Sequence, residues 1–175
     1  DGAGFGSFCQ EFEKNTSIVK VNFGHNPIRD EGAVKFANVL KIHPSLKDVD
    51  FELCEIGDEG AQALFPALAD SPNCDRFSAK NNLIRNGNVI QNSIQDDQKL
   101  LYLNIEYNDI DFKVFTEIQR IIKENVKFYQ DNQKKRIEDA VFVMAEVDKE
   151  LVDTRQSIIE ERQMIEYLIK TRKEA

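Results

Sequence analysis

Residues 17–72 are one pattern written twice, SIVKVNFGHNPIRDEGAVKFANVLKIHP and then SLKDVDFELCEIGDEGAQALFPALADSP. Ile18, Val21, Phe23, Asn26 and Ile28 of the first copy fall on Leu46, Val49, Phe51, Cys54 and Ile56 of the second, and Asp30-Glu31-Gly32-Ala33 falls on Asp58-Glu59-Gly60-Ala61. A fixed internal period of this length means stacked units, because a single unit cannot bury its own apolar face. The apolar positions at the start of each copy suit a short strand, and the Asn or Cys that follows suits a turn whose side chain hydrogen-bonds the backbone. The period then changes. Val34, Phe36, Ala37, Val39 and Leu40, like Ala63, Leu64, Leu68 and Ala69, recur at helical spacing, with Gly32 or Gly60 expected just before the helix and Pro44 or Pro72 after it. Each unit therefore reads as strand, turn, helix.

Two weaker copies follow in register. Cys74, Phe77, Ala79, Asn82 and Ile84 make the third, with a polar helix around Val89, Ile90 and Ile94 expected to be the least tightly packed. Leu100, Leu103, Ile105, Asn108 and Ile110 make the fourth, followed by a helix carrying Val114, Phe115, Ile118, Ile121 and Ile122. At the start, Gly4, Phe8, Phe12 and Asn15 align with Gly32, Phe36, Leu40 and His43, so the first residues read as the back half of a repeat. We expect this first repeat to be truncated, with further repeats upstream. The glycine-rich opening DGAGFGSF has no strand-borne Lys after it of the kind a kinase phosphate loop needs, and it fits the repeat register instead.

The repeat resembles the leucine-rich repeat of the ribonuclease-inhibitor type. That resemblance implies an α/β solenoid, with parallel strands on the concave side and helices on the convex side, over residues 1–129. From about Asn132 the strand pattern stops and neither Gly nor Pro occurs again, so residues 130–175 are expected to form a separate long α-helix. Ile137, Met144, Leu151, Ile158 and Ile165 recur every seventh residue, flanked at one side by Val141, Asp148, Arg155, Arg162 and Ile169. That seam is half polar, which argues against a simple self-paired zipper and for a partner helix on the stripe Ile137, Val141, Met144, Leu151, Ile158, Ile165 and Ile169. The eleven acidic and nine basic residues from Gln130 onward read as solvated flanks of a coiled coil. Val126, Phe128 and Tyr129 are expected to close the last repeat; the alternative to a partner helix is that the rod folds back along the solenoid as a cap, which would need a hinge between Asn125 and Asn132.

Side chains between the apolar strand positions line the concave face. They fall in columns: Lys20, Asp48, Arg76, Tyr102; then Asn22, Asp50, Ser78, Asn104; then Gly24, Glu52, Lys80, Glu106. Charges of alternating sign at a strand spacing of about 4.8 Å suit mutual pairing, while Leu101, Tyr102 and Tyr107 beside Glu106 offer aromatic area for a protein contact. The candidate contact residues on this face are Asp48, Asp50, Glu52, Arg76, Leu101, Tyr102, Glu106 and Tyr107.

A formal net charge of −8 with no basic cluster beyond Lys134-Lys135-Arg136 disfavours nucleic acid and anionic membrane. Three widely spaced cysteines, two of them at repeat core positions, read as packed thiols in a reducing compartment. His25 and His43 stand alone, the first read as a strand-end surface residue and the second as a cation at a helix C-terminus. No nucleophile, acid–base or metal constellation emerges, so neither catalysis nor a cofactor is expected. Similarity to leucine-rich proteins that end in a helical rod implies a non-enzymatic scaffold in a hetero-oligomeric cytoskeletal assembly, such as a centrosomal linker or a ciliary axonemal complex. Two other implications stay open: a GTPase regulator similar to the Ran activator, and the repeat module of an inhibitor or immune sensor.

Overall fold

The computed structural model describes residues 2–174, with side chains described for 4–166. Among the described residues, nine elements alternate: α1 (Gly2–Glu13), β1 (Lys20–Asn22), α2 (Arg29–Ile42), β2 (Asp48–Asp50), α3 (Asp58–Asp70), β3 (Arg76–Ser78), α4 (Gly87–Ile94), β4 (Tyr102–Asn104) and α5 (Phe112–Glu174). The chain divides into two compact units, Asp1–Tyr129 and Gln130–Ala175.

In the first unit the strands form one parallel sheet in the order β1-β2-β3-β4. Its register places Lys20 beside Asp48, Asp48 beside Arg76, and Arg76 beside Tyr102, as the repeat spacing requires. Consecutive helices α1 to α4 pack side by side. Between the layers lies a continuous apolar core in which Val49, Phe51, Leu64, Phe65, Leu68, Phe77, Ile84, Ile90 and Ile94 are fully buried. Phe23 and Phe51, at equivalent positions just after β1 and β2, stack with ring centroids 5.0 Å apart, and Phe77 from the middle of β3 continues the row, its ring 6.0 Å from Phe51. Ile118, Ile121 and Ile122 of α5 close this core at its far end.

Polar ladders tie the coils together. The Asn82 Oδ1 accepts from the amides of Cys54 and Ile56 in the preceding repeat, both at 3.0 Å, and its Nδ2 donates to the carbonyls of Phe51, Ala79 and Lys80. Asn108 does the same one repeat later, accepting from the Ile84 amide and donating to Ala79 and Ile105. Cys54, which stands where the other copies have Asn, donates its thiol to the Phe23 carbonyl at 3.3 Å. The repeated aspartate forms a second ladder: Asp30 Oδ1 accepts from the amides of Gly57 and Gly60, and Asp58 Oδ1 from those of Arg85 and Asn86. Each aspartate thus fastens the next repeat's turn, beyond any charge stabilisation of its own helix. At the turns, His25, Leu53, Asn81 and Tyr107 take left-handed backbone conformations at equivalent positions, φ between 54° and 63°.

Several expectations are corrected. Gly32 and Gly60 lie in the first turns of α2 and α3, not before them, and Gly60 is held there by packing: a Cβ would meet the Asp30 carboxylate at 2.6 Å and the Ala33 Cβ at 2.9 Å. Val34 is exposed, because the buried face of α2 runs through Ala33, Phe36, Ala37, Val39 and Leu40. His43 is not a surface cation. It is fully buried beside Phe12, ring centroids 4.9 Å apart, and neither ring nitrogen has a well-formed hydrogen bond. Burial holds its pKa below the ordinary value, outweighing the nearby carbonyls of Asn15 and Phe12 that favour the charged ring. Phe128 and Tyr129 remain about half exposed, and closure falls instead to buried Asn125, whose Nδ2 donates to the carbonyls of Asp97 and Leu100. The last helix begins at Phe112 rather than near residue 130, because residues 112–129 also lack Gly and Pro.

Candidate protein-binding surfaces

Short parallel strands present every second side chain to the open face of the sheet, so the candidate contact residues of the repeats lie in three adjacent rows. In the first row Asp48 accepts from Lys20 at 2.9 Å and lies 3.7 Å from Arg76, whose guanidinium sits 4.4 Å from the Tyr102 ring centroid. In the third row Lys80 pairs with Glu52 at 3.0 Å and lies 5.6 Å from the Tyr107 ring. The Lys80 ammonium beside Glu52 holds that carboxyl below the usual carboxylate range, and Glu52 in turn raises Lys80. Between them, Asp50 accepts from the Asn22 side chain and from the Glu52 amide.

These networks bring Asp48, Asp50, Glu52, Arg76 and Tyr102 onto one face. Glu106 and Tyr107 follow at its edge, both exposed, Tyr107 at 72%. Leu101 is half-buried and lines a small cleft with Gln119 and Ile122, so it contributes less to that face than its neighbours. Ion pairs between exposed groups contribute about 0–1 kcal/mol each, so the pairs of Asp48 and Glu52 add little stability, and Tyr102 and Tyr107 are the exposed aromatics of this face.

In the second unit, Ile137, Val141, Met144, Leu151, Ile158 and Ile165 are all about half exposed or more. Ile169 lies outside the residues whose side chains are described. A surface not foreseen from the sequence is an apolar cleft of about 480 Å³ lined by Phe5, Phe8, Phe23, Pro27 and Ile28. Its signal was the run of aromatics at Phe5, Phe8 and Phe12, which is denser than a single buried helix face requires.

Cys9, Cys54 and Cys74 are buried free thiols; burial pushes Cys9 and Cys54 up to about 11 and Cys74 up to about 12. Among the described residues, no group of three or more His, Cys, Asp or Glu is placed to hold a metal ion, and no helix is long and apolar enough to cross a membrane.

Residues 14–37 and 43–65, the first two strand-bearing repeats, match the leucine-rich repeat family. No curated protein matches the chain at the level of sequence. Among solved structures, leiomodin-1 actin-binding site 2 superposes with a TM-score of 0.66 at 17% identity, covering 80% of this chain and 82% of that one. The tropomodulin C-terminal domain of Caenorhabditis elegans gives a TM-score of 0.67 at 16% identity, covering 79% and 83%. With the parallel sheet, the interleaved helices and the asparagine ladder, these matches show a leucine-rich repeat fold followed by a long C-terminal helix.

Proposed function

We propose that this chain is a non-enzymatic scaffold subunit of a cytoskeletal assembly, in which the repeat face holds one protein and the helix beyond Gln130 joins the helices of another. The observation that carries this reading is the apolar row Ile137, Met144, Leu151, Ile158 and Ile165, exposed at seven-residue spacing on a helix whose polar faces are charged in both signs. A soluble chain keeps such a row only where another surface covers it.

The repeat face supplies the second contact through Tyr102 and Tyr107, aromatic anchors held over Arg76 and Lys80. The likeness to a structure named for binding actin favours an actin-based partner for this face. The combination of repeats and rod favours placement in a ciliary axoneme. Sedimentation of the full chain with actin filaments separates these. Actin is supported as the partner of the repeat face if the chain pellets with filaments and Tyr102→Ala with Tyr107→Ala weakens this at least tenfold. Failure to pellet, with cross-links from the rod to axonemal helices, supports the axonemal placement. A folded protein that gives neither pelleting with filaments nor cross-links from the rod to other helices refutes the scaffold reading.

A further inference from the structure

The apolar row of the rod repeats every seven residues, whereas a straight α-helix falls about 20° short of registering such a row. Ile137, Met144, Leu151, Ile158 and Ile165 therefore stay in line only if the helix coils left-handedly about a neighbouring helix. Two flanks compete to complete the seam. Three residues on from the row stand Ala140, Val147, Thr154 and Glu161; four residues on stand Val141, Asp148, Arg155 and Arg162. The first flank holds only two polar residues, so it makes the drier seam.

Charge decides the orientation. In a parallel pair of copies each residue faces its own counterpart, so the first seam sets Glu161 against Glu161, and the second sets Asp148, Arg155 and Arg162 each against itself. Like charges facing across a helix pair destabilise it. Reversing one copy removes every such clash in the first seam. Ala140 then lies opposite Ile165, Met144 opposite Glu161, Val147 opposite Ile158 and Leu151 opposite Thr154, while on the flank Asp148 meets Arg155 twice by symmetry.

We infer that the occupant of this row is a second copy of the same chain, docked antiparallel through residues 140–165, with the two Asp148–Arg155 pairs setting direction and register. The inference rests on the reading of the rod as a pairing helix, and makes each dimer a bridge with a repeat domain on both copies.

Full-length protein at tens of micromolar in sedimentation equilibrium should be a dimer. Asp148→Arg should weaken it about tenfold, and adding Arg155→Asp should restore it, since both pairs are then reversed in sign. Mixing Ala140→Cys chains with Ile165→Cys chains should give the mixed disulfide; Ala140→Cys chains that instead link to one another indicate a parallel pair and overturn the inference. A monomer also overturns it. A monomer whose Lys149 still cross-links to helices of another protein leaves the scaffold reading standing, whereas a monomer with no such cross-links removes both.

Discussion

Replacing Asn82 by Ala removes a side chain that makes five hydrogen bonds, three of them to the preceding coil. Its Oδ1 holds the Cys54 and Ile56 amides, and both residues are fully buried, so both donors are left without a partner and without water. An unsatisfied buried donor costs about 1–3 kcal/mol. Two such donors, together with the carbonyls of Phe51, Ala79 and Lys80 that lose Nδ2, bring the expected loss to about 3–5 kcal/mol. Asn26, two register steps earlier, is exposed and donates to the carbonyls of Phe23 and Gly24 in its own repeat, so Asn26→Ala should cost about 1 kcal/mol. Urea unfolding followed by far-UV circular dichroism measures the difference. With a slope of about 2 kcal/mol/M, the Asn82 variant's midpoint should fall about 1 M or more below that of the Asn26 variant. Equal midpoints for the two would refute the idea that the ladder between coils, rather than turn propensity within one repeat, is what the asparagine supplies.

Other consequences follow from the same packing. Gly60→Ala drives a Cβ into the Asp30 carboxylate and Ala33, and should cost about 1–3 kcal/mol, while Gly4→Ala meets nothing within 4 Å and should be neutral or stabilise by up to about 1 kcal/mol; thermal denaturation of the pair distinguishes them. His43 is buried with its pKa depressed, so its contribution to stability is whole above the unfolded value of about 6.5 and is lost as pH falls below it. His43→Phe, which keeps the ring beside Phe12, should therefore flatten the urea midpoint between pH 6.5 and 5 relative to the natural chain. The three thiols, all buried and pushed to about 11 or 12, should resist alkylation at pH 8 until urea unfolds the repeats, as mass spectrometry of iodoacetamide-treated protein would show.

The repeat made the fold legible because it determines contacts far apart in sequence. A 28-residue register written on one line already pairs Lys20 with Asp48 and Asp48 with Arg76, and the sheet has that register. What a single repeat does not contain was harder to read. Asp30 looked like an ordinary acidic residue of a helix start, and only the stacking of the next coil brings the Gly57 and Gly60 amides onto it. His43 stands at the end of a helix, where a cation is favoured, yet α1 covers it through Phe12, and burial outweighs the helix end. The continuity of α5 was obscured because two periodicities meet inside it: the core spacing of Ile118, Ile121 and Ile122 and the seven-residue row from Ile137. The columns of the open face were readable by alternation along each strand, but the way Arg76 and Lys80 support Tyr102 and Tyr107 depends on side-chain reach across neighbouring strands.

The scaffold account is tested most directly by cross-linking mass spectrometry on the native assembly, with Lys134 and Lys149 of the rod and Lys80 of the repeat face as reporters, all lying on described surfaces. The account expects two separate sets of cross-links: Lys134 and Lys149 to helices, of a second copy or of another subunit, and Lys80 to a different protein at the repeat face. Cross-links from the rod confined to Lys20, Lys47 or Lys80 of the same chain, with none from the repeat face to any other protein, would contradict it.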